Sequence, residues 1–375
     1  MTEPPRAALL AGDLARPTGG NLYDDHLIRA APAHGFCLHP HAVPDRLPAA
    51  LRGAPDVLRR AARPPTAVLV IDSIAARGLG PALARRPPPV PVVALLHQPP
   101  GGGDGSVLRR GLGRGLDRLA YRRAGRLIVA STWLGDRLVR AGFDPASIRV
   151  VPPGCDVRAT EGGPLPDLRR GRAAAILCVA NWTAQKGILE LVEAFARLEP
   201  GLATLHLVGD PRAVPAYGAR VRRRLARSDL QGRVVVHGPR PPGEASRLRS
   251  AADVFALPAH RETYGMAWAE ALRDGLPVVG WRSGHLPELV RDGSEGLLLP
   301  EGDLAGLTSA LDRLCRDLGL RDRMRHSSRV RGSTLPTWSD TARRFFDVLR
   351  EALELGPPAF QRSPHRSWCD RWRRS

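Results

Sequence analysis

Lys186, in the stretch "NWTAQKG" at 181–187, stands out by its residue type. The chain of 375 residues holds 56 lysines and arginines, and Lys186 is the only lysine among them. An ammonium is a compact, strongly hydrated charge with rotatable donors, whereas a guanidinium is a broad planar fork. A confined pocket that meets a phosphate end-on therefore favours lysine. We take Lys186 as a candidate phosphate-binding residue. The alternative is that lysine occurs at this position by chance.

Two carboxylates, Glu262 and Glu270, are separated by seven residues in "HRETYGMAWAEALRDGLPVVGW" at 260–281. The loop "ETYG" leads into a helix predicted to begin near Met266, so that Glu262 precedes the helix and Glu270 lies about one turn inside it. The free N–H groups of such a helix start suit a pyrophosphate, and the two carboxylates could hold hydroxyls of a sugar and a ribose. The alternative is a capping acid and a solvated helix acid. The candidate donor-binding residues of this segment are Tyr264, Gly265, Met266, Ala267 and Glu270.

Two adjacent glycines, Gly19 and Gly20, follow the first apolar segment in "PTGGNLYDD" at 17–25. They would let a ligand approach the backbone where a helix begins, and the helix N-terminus would offer N–H groups to an anion. The alternative is a flexible turn between a strand and a helix.

Short apolar segments that alternate with helical patterns must position these residues. Continuous apolar strands are typical of parallel sheets covered on both faces, and two series of them predict two doubly wound α/β domains with a ligand site in the cleft between them. The predicted strands are 7–12, 66–73, 90–97, 126–131, 148–154, 173–182, 203–210, 233–238, 253–258 and 277–281. The predicted organisation is a Rossmann-like domain at 1–157, a linker at 158–171, a second Rossmann-like domain at 172–340, a C-terminal helix at 341–356 that possibly crosses back to the first domain, and a basic, disordered tail at 357–375.

The overall charge favours anionic partners. The formal net charge is +19 and the isoelectric point is about 11.2, which fits nucleotide phosphates, acidic lipid or nucleic acid. Aromatic residues make up only 5% of the chain, which argues against specific binding of single-stranded nucleic acid. Five scattered cysteines without a CxxC pair suggest neither zinc nor disulfides. With no secretory signal and no segment of transmembrane length, we expect a cytoplasmic protein, possibly peripheral to the inner face of the membrane.

A basic amphipathic helix is predicted at 106–126, in "SVLRRGLGRGLDRLAYRRAGR". Arginines recur there every four residues, and leucines form a second stripe. Such a helix can lie on an anionic membrane or bind an anionic acceptor, and a solvated arginine face is the favoured alternative. The basic tail, with Trp368 and Trp372, is open to the same two interpretations. The arginines are Arg110, Arg114, Arg118, Arg122 and Arg126, and the leucines are Leu108, Leu112, Leu116 and Leu119.

In combination, these motifs resemble the retaining GT-B glycosyltransferases of family GT4. The family's Glu-x7-Glu motif matches Glu262 and Glu270, and "GLPVVGWRSGHLPELVRDGSEGLLLPEGD" at 275–303 continues the resemblance. Upstream, "VANWTAQKG" at 179–187 is similar to the family's lysine motif, while "VVPPGCD" at 150–156 and "TGGNLYD" resemble the end of its first domain and its glycine loop. The motifs follow the family's order over nearly the whole chain.

The resemblance implies a transferase that takes a sugar from a nucleotide-diphosphate donor without a metal or another cofactor. In the family, the residue matching Lys186 contacts the diphosphate, and the residues matching Glu262 and Glu270 hold the donor sugar and the ribose. His97, which ends "PVVALLH", matches a histidine near the donor sugar; a structural histidine is the alternative. The resemblance thus implies Lys186, Glu262 and His97 as catalytic residues.

One position departs from the family pattern. Asn181 stands where the family usually has an arginine, five residues before Lys186, which removes a positive charge expected at the phosphates. Either Arg261 or Arg282 substitutes, or the diphosphate depends on Lys186 and backbone amides.

Other functions remain possible at this stage. One is a GT-B protein that binds a sugar nucleotide without turnover, and Asn181 in place of the usual arginine is the sign that points to it. For the transferase, Asn181 is itself one of the candidate donor-binding residues. Another is a sugar-nucleotide epimerase, although the expected order of acid and base carboxylates is missing. The acceptor (glycolipid, polysaccharide or small metabolite), the donor base and sugar, and the oligomeric state are not determined by the sequence.

Overall fold

The computed structural model describes residues 3–15, 18–102, 107–156 and 164–357. The chain divides into two compact units. Unit 1 consists of residues 1–129, 135–151 and 342–375, and unit 2 of residues 130–134 and 152–341. The tail beyond residue 357 and the first six residues of the predicted linker, 158–163, lie outside the described residues.

Unit 1 contains a six-stranded parallel sheet in the order β2-β1-β3-β4-β5-β6. The chain leaves β1 towards one edge to form β2 and returns to the other side to form β3, so the order reverses beside β1. The strands are β1 Arg6–Ala11, β2 Cys37–Ala42, β3 Thr66–Asp72, β4 Val92–Leu96, β5 Arg126–Val129 and β6 Ile148–Val150; the helices are α1 Gly19–Ala30, α2 Leu47–Ala61, α3 Ser73–Arg85, α4 Val107–Tyr121 and α5 Thr132–Arg140, of which 132–134 belong to unit 2.

Unit 2 repeats this architecture with a parallel sheet in the order β12-β11-β10-β7-β8-β9. Here the order reverses between β7 and β10, which are neighbours in the sheet. The strands are β7 Ala174–Val179, β8 Ala203–Val208, β9 Val234–Gly238, β10 Val254–Ala256, β11 Val278–Trp281 and β12 Gly296–Leu299; the helices are α6 Ile188–Ala196, α7 Pro215–Leu225, α8 Pro242–Ala251, α9 Met266–Arg273, α10 Leu286–Leu289, α11 Leu304–Arg316, α12 Leu318–Ser333 and α13 Trp338–Leu355, whose residues from 342 onwards belong to unit 1.

The predicted strands all form, and two further strands had been missed. Every residue of β4 and β8 is buried, which agrees with continuous apolar strands between two helix layers. The missed strands β2 and β12 are the edge strands of their sheets. β2, with the sequence CLHPHA, is partly exposed and contains Pro40, which an edge position tolerates because one side of the strand needs no ladder hydrogen bonds.

The five arginines predicted on one helix do not all belong to it, and that part of the prediction was wrong. α4 ends at Tyr121, and Arg126 is the first residue of β5. There its guanidinium pairs with Glu351 at 2.7 Å. Arg118, still within α4, donates to the carbonyl of Ala141 at 2.6 Å.

The C-terminal part of α13 packs within unit 1. Phe346 stacks on Phe36 with ring centroids 5.2 Å apart. Glu351 accepts hydrogen bonds from Arg126 and Arg149 of β5 and β6, and these two guanidinium groups lower the pKa of Glu351 to about 2. Apolar stacking and a paired carboxylate thus fix this helix to the sheet of unit 1.

No helix in the described part of the chain is long and apolar enough to cross a membrane.

Candidate active site

The candidate residues of unit 2 lie at the point where the strand order of its sheet reverses. In open parallel sheets, ligands bind beyond the carboxyl ends of the strands at this point. The loop after β7 carries Asn181 and Lys186, and the loop after β10 carries Glu262. Because β7 and β10 are adjacent, the topology brings together residues that are 76 positions apart in sequence.

Lys186 and Glu262 form an ion pair between the ammonium Nζ and the carboxylate Oε2. Both side chains are half-buried. The two loops are also joined through their backbones, since the amide of His260 donates to the carbonyl of Gln185 at 2.8 Å. The side-chain amide of Gln185 donates in turn to the carbonyl of Arg261. The ammonium is therefore held at a defined place, with one counter-charge and access to solvent.

Glu270 is oriented by a buried arginine that sequence reasoning missed. Arg249 of α8 places Nη1 2.8 Å from Glu270 Oε2, and its Nε donates to Asp274 at 2.5 Å. The side chain of Arg249 is only 6% exposed, whereas that of Glu270 is 29% exposed. Arg249 thus fixes the carboxylate from the protein side and leaves part of it open to a ligand. Its position in an ordinary helical pattern gives no sequence signal for this role.

The start of α9 offers a ligand mainly backbone N–H groups, and few side chains. Tyr264 is buried and stacks on His285 with ring centroids 5.4 Å apart, so its side chain belongs to the packing of the loop. Gly265 precedes the helix, and Met266 and Ala267 in its first turn are half-buried. The N–H of Trp268 donates to the carbonyl of Gly265 at 3.0 Å, whereas the N–H groups of Met266 and Ala267 lie ahead of the helical hydrogen-bond ladder, which makes these two suitable for an anion.

Asn181 has a structural contact of its own. Its side-chain oxygen accepts from the amide of Asp210 at 2.9 Å and thereby connects the ends of β7 and β8. Of the two arginines considered as substitutes, Arg282 is engaged with Asp292 at 2.7 Å. Arg261 is exposed and directly precedes Glu262, and no ion pair of its side chain occurs within the described residues. Arg261 is thus the better placed of the two cations.

Unit 1 has a second candidate group, also at the reversal of strand order. α1 follows β1, and Gly19 and Gly20 are its first two residues. Thr18 caps the helix by accepting from the amide of Asn21 at 3.2 Å. A Cβ added at Gly20 would lie 2.9 Å from Cδ2 of His97, so glycine is required there because the helix start approaches the imidazole.

His97 lies between two buried carboxylates. Its Nε2 is 3.3 Å from Asp24 of α1 and 3.0 Å from Asp72 at the end of β3. The side chains of Asp24 and Asp72 are 1% and 2% exposed. Tyr23 contacts the imidazole edge-on with ring centroids 5.2 Å apart, and its hydroxyl donates to the carbonyl of Val151 at 3.0 Å.

The charges of this group determine its protonation. Burial disfavours the charged imidazole, but the carboxylates of Asp72 and Asp24 outweigh burial and raise the pKa of His97 to about 10. Burial raises the pKa of Asp24 to about 6 against the opposing effect of His97. At neutral pH, His97 is therefore an imidazolium and can only donate hydrogen bonds.

Within the described residues, Asp24, Asp72 and His97 also form a group that could hold a metal ion. Their potential ligand atoms lie within 4.8 Å of one another. A protonated Nε2 that donates to Asp24 and is paired by charge with Asp72 cannot also coordinate a metal, so this geometry favours a proton over a cation. The expected absence of a metal stays a prediction.

Asp24 and Asp72 were not predicted as site residues, although one signal was available. Asp72 is the polar residue that ends the apolar strand "VLVID", and the carboxyl ends of parallel strands are where ligands bind. Asp24 gives no such signal, because an acid inside a helix is usually solvated. Its burial beside His97 follows only from the packing of α1.

Two family models match the chain in tandem. Residues 10–154 match the glycosyl transferase 4-like domain, and residues 173–317 match the glycosyl transferases group 1 model. Together the two matches cover most of the chain.

Curated relatives with similar sequences are D-inositol 3-phosphate glycosyltransferases. That of Corynebacterium kroppenstedtii is 32% identical over 250 residues, which cover 62% of this chain and 55% of the relative. That of Acidothermus cellulolyticus is 31% identical over 244 residues, which cover 60% of this chain and 53% of the relative. The chain thus spans about half the length of the curated relatives it matches.

Solved structures agree on the fold. Sucrose-phosphate synthase from Thermosynechococcus elongatus superposes with a TM-score of 0.78 at 20% identity, over 94% of this chain and all of that one. HepE of Anabaena, crystallised with UDP-glucose, superposes with a TM-score of 0.76 at 20% identity, over 92% and 99% of the two chains. With both family models in order and this fold, the chain belongs to the group 1 glycosyltransferases of family GT4 and has the GT-B fold.

Proposed function

We propose that this protein is a retaining glycosyltransferase that transfers a sugar from a nucleotide-diphosphate donor to a hydroxyl acceptor, without a metal or another cofactor. The observation that carries the proposal is the Lys186–Glu262 ion pair beside the start of α9, at the point where the strand order of unit 2 reverses. The crystal structures of HepE with UDP and with UDP-glucose support a donor of this class.

In the proposed mechanism, unit 2 stabilises the leaving nucleotide. Lys186 exchanges part of its contact with Glu262 for the diphosphate, and the amides of Gly265, Met266 and Ala267 donate to the phosphate oxygens. Donors placed before the reaction stabilise the charge that develops on the leaving phosphate without reorganisation. Arg261 supplies the second positive charge that Asn181 lacks.

The two glutamates orient the donor. Glu270, fixed by Arg249, accepts hydrogen bonds from the ribose hydroxyls. Glu262, released in part by Lys186, accepts from hydroxyls of the sugar being transferred. Asn181 and Tyr264 contribute to the donor site through the shape of their loops, since Asn181 is bound to Asp210 and Tyr264 is buried.

Unit 1 contributes His97, Gly19 and Gly20 in this proposal. As an imidazolium, His97 donates a hydrogen bond to a donor-sugar hydroxyl and does not act as a base. The attacking hydroxyl then loses its proton to a phosphate oxygen of the donor. The amides of Gly19 and Gly20 at the start of α1 assist in binding the phosphate.

We further propose that the protein acts in the cytoplasm, in peripheral contact with an anionic membrane. The exposed leucines and arginines of α4 support this part of the proposal.

The donor site is tested by thermal unfolding with UDP-, GDP-, ADP- and dTDP-sugars. We expect one nucleotide to raise the melting temperature by several degrees, because a ligand that binds only the folded state stabilises it. The shift should disappear in Lys186→Ala and shrink in Arg261→Ala. Arg212→Ala, which removes a highly exposed cation from the same unit, is the matched control and should retain the full shift. No shift with any nucleotide sugar would refute a donor site.

Turnover separates the transferase from a protein that only binds. Asn181 in place of the usual arginine is the observation that favours the second candidate, a GT-B protein that binds a sugar nucleotide without turnover. The stabilising donor is incubated with an acceptor panel that includes D-inositol 3-phosphate, the acceptor in the name of the relatives. Sugar transfer or donor hydrolysis supports the enzyme, and an α-linked product from an α-linked donor supports retention. Donor binding with neither reaction would support the second candidate.

A further inference from the structure

The orientation of α4 in unit 1 is the reverse of that expected for an amphipathic helix. The buried residues described in it are Gly113, Asp117, Ala120 and, at its end, Tyr121. Asp117 pairs with Arg77 of α3 at 3.2 Å and accepts from the amide of Gly101 at 2.7 Å. Small residues, the ion pair of the buried Asp117 and the ring of Tyr121 therefore attach this helix to the domain, and of its leucines only Leu116 is partly buried.

The leucines of α4 point to solvent instead. Leu108, Leu112 and Leu119 are 86%, 63% and 36% exposed, and their spacing of four and seven residues places them on one face. We call these three residues the leucine face. Single exposed apolar residues are common, but several on one face of a helix mark an interaction surface.

Basic residues accompany this face. Arg114 and Arg122 are exposed, and neither side chain forms an ion pair within the described residues. Arg118 is engaged with the carbonyl of Ala141 and lies 5.7 Å from the ring centre of Phe143. Arg122 follows Leu119 by three residues, just past the end of α4, and therefore lies beside the leucine face, whereas Arg114 lies on the flank of the helix between that face and the buried one.

We propose that the leucine face of α4 is a docking surface for an anionic lipid bilayer, with the leucines inserted at the headgroup boundary and Arg114 and Arg122 on lipid phosphates. This inference deepens the proposed peripheral contact and does not depend on the glycosyl-transfer activity. An amphipathic helix binds such a surface through apolar area plus electrostatic attraction.

Charge distinguishes the bilayer from the two other possible occupants. A second copy docked by the same face would add a second Arg122 to the contact, and like charges oppose that. The tail at 358–375 carries five arginines against one aspartate, so it is repelled in the same way. An anionic bilayer complements both kinds of residue, because its phosphates attract the arginines and its acyl chains accept the leucines.

The test is co-sedimentation of the full-length protein with vesicles, without any sugar nucleotide. We expect binding to vesicles of equal parts phosphatidylcholine and phosphatidylglycerol, and much weaker binding to phosphatidylcholine alone. The double variant Leu108→Gln/Leu112→Gln should lower the affinity at least about tenfold, because each leucine loses its transfer from water. Arg114→Gln/Arg122→Gln should lower it by roughly tenfold as well.

The matched control is Leu318→Gln/Val330→Gln, which changes two apolar side chains of unit 2 that are 59% and 53% exposed. It should bind like the wild type, and all variants should retain the wild-type melting temperature because the changed side chains are exposed. Failure of the wild type to bind anionic vesicles would overturn the proposal, as would unchanged binding of the leucine variant. A wild-type dimer that the leucine variant abolishes would assign the face to a second copy and overturn it too.

Discussion

At the scale of single residues, the site is a set of paired charges. Lys186 is balanced by Glu262, Glu270 by Arg249, and His97 by two carboxylates. A pair of this kind orients each charged group in a partly buried place, and a ligand must then compete with the partner charge. In the proposed mechanism, the single ammonium of Lys186 meets Glu262 and a phosphate in turn.

The charge of His97 makes stability depend on pH. The pKa of His97 in the folded chain, about 10, lies above its ordinary value of 6.5. Its contribution to the free energy of unfolding is therefore fully present below pH 6.5 and is lost as the pH rises through about 10. Asp72→Asn removes one main cause of the raised pKa of His97. It should lower the free energy of unfolding by roughly 3 kcal/mol near pH 6.5. The deficit should shrink towards pH 10.

Urea unfolding at several pH values measures this deficit. Asp25→Asn is the control, since Asp25 is a neighbouring carboxylate whose pair with Arg29 is exposed, and its effect should be small at every pH. A deficit of Asp72→Asn that stays constant from pH 6.5 to pH 10 would show that His97 is not held as an imidazolium.

At the scale of elements, the start of α9 requires a glycine. Gly265 has φ +92°, and a Cβ added there would lie 2.1 Å from Cε3 of the buried Trp268. Gly265→Ala should therefore cost about 3 kcal/mol or more, through backbone strain and overpacking together. It should also weaken donor binding, because the first amides of α9 would shift.

Gly293→Ala is the matched control for this prediction. Gly293 also has a positive φ, +77°, but an added Cβ there would meet nothing within 4 Å. We expect it to cost only about 1 kcal/mol, from backbone strain alone, with donor binding unchanged. If urea unfolding showed the same loss of unfolding free energy for Gly265→Ala and Gly293→Ala, the contact with Trp268 would not be the reason that residue 265 must be glycine.

Elements were predictable wherever their pattern was local. The apolar strands and α9 follow from runs of apolar residues and from the Gly and Pro that end the helix. The edge strand β2 was missed because an exposed edge needs no apolar run, whereas β12, with the sequence GLLL, has an apolar run too short to be identified as a strand by its pattern. The pattern also could not predict which face of α4 is buried. In most helices a stripe of leucines marks the buried face, but in α4 Leu108, Leu112 and Leu119 are exposed.

At the scale of the whole molecule, two units of the same architecture carry different chemistry. Unit 2 presents an ammonium and helix amides, which suit a diphosphate, whereas unit 1 presents a buried His97 with two carboxylates. The net charge of +19 is spread over both and favours anionic ligands in general.

Hydrogen exchange with the stabilising donor should assign the nucleotide to one unit. We expect slower exchange of the amides at 186–187 and 265–269, because ligand contacts suppress local opening. Amides of α12, at Leu318–Ser333 in the same unit, are the internal reference and should change little. Protection in α12 but not at 265–269 would place the nucleotide elsewhere in unit 2 and contradict the proposed donor site.

The sequence by itself determined the α/β class, the family resemblance and the candidates Lys186, Glu262, Glu270 and His97. These depend on local order along the chain: apolar runs, helix boundaries and motif spacing. Only the tertiary structure decided what each candidate is paired with, because Asp24 and His97 lie 73 residues apart and no periodicity relates them. It also decided that the leucines of α4 face solvent, because burial of a helix face is a property of the neighbouring elements and not of the helix itself.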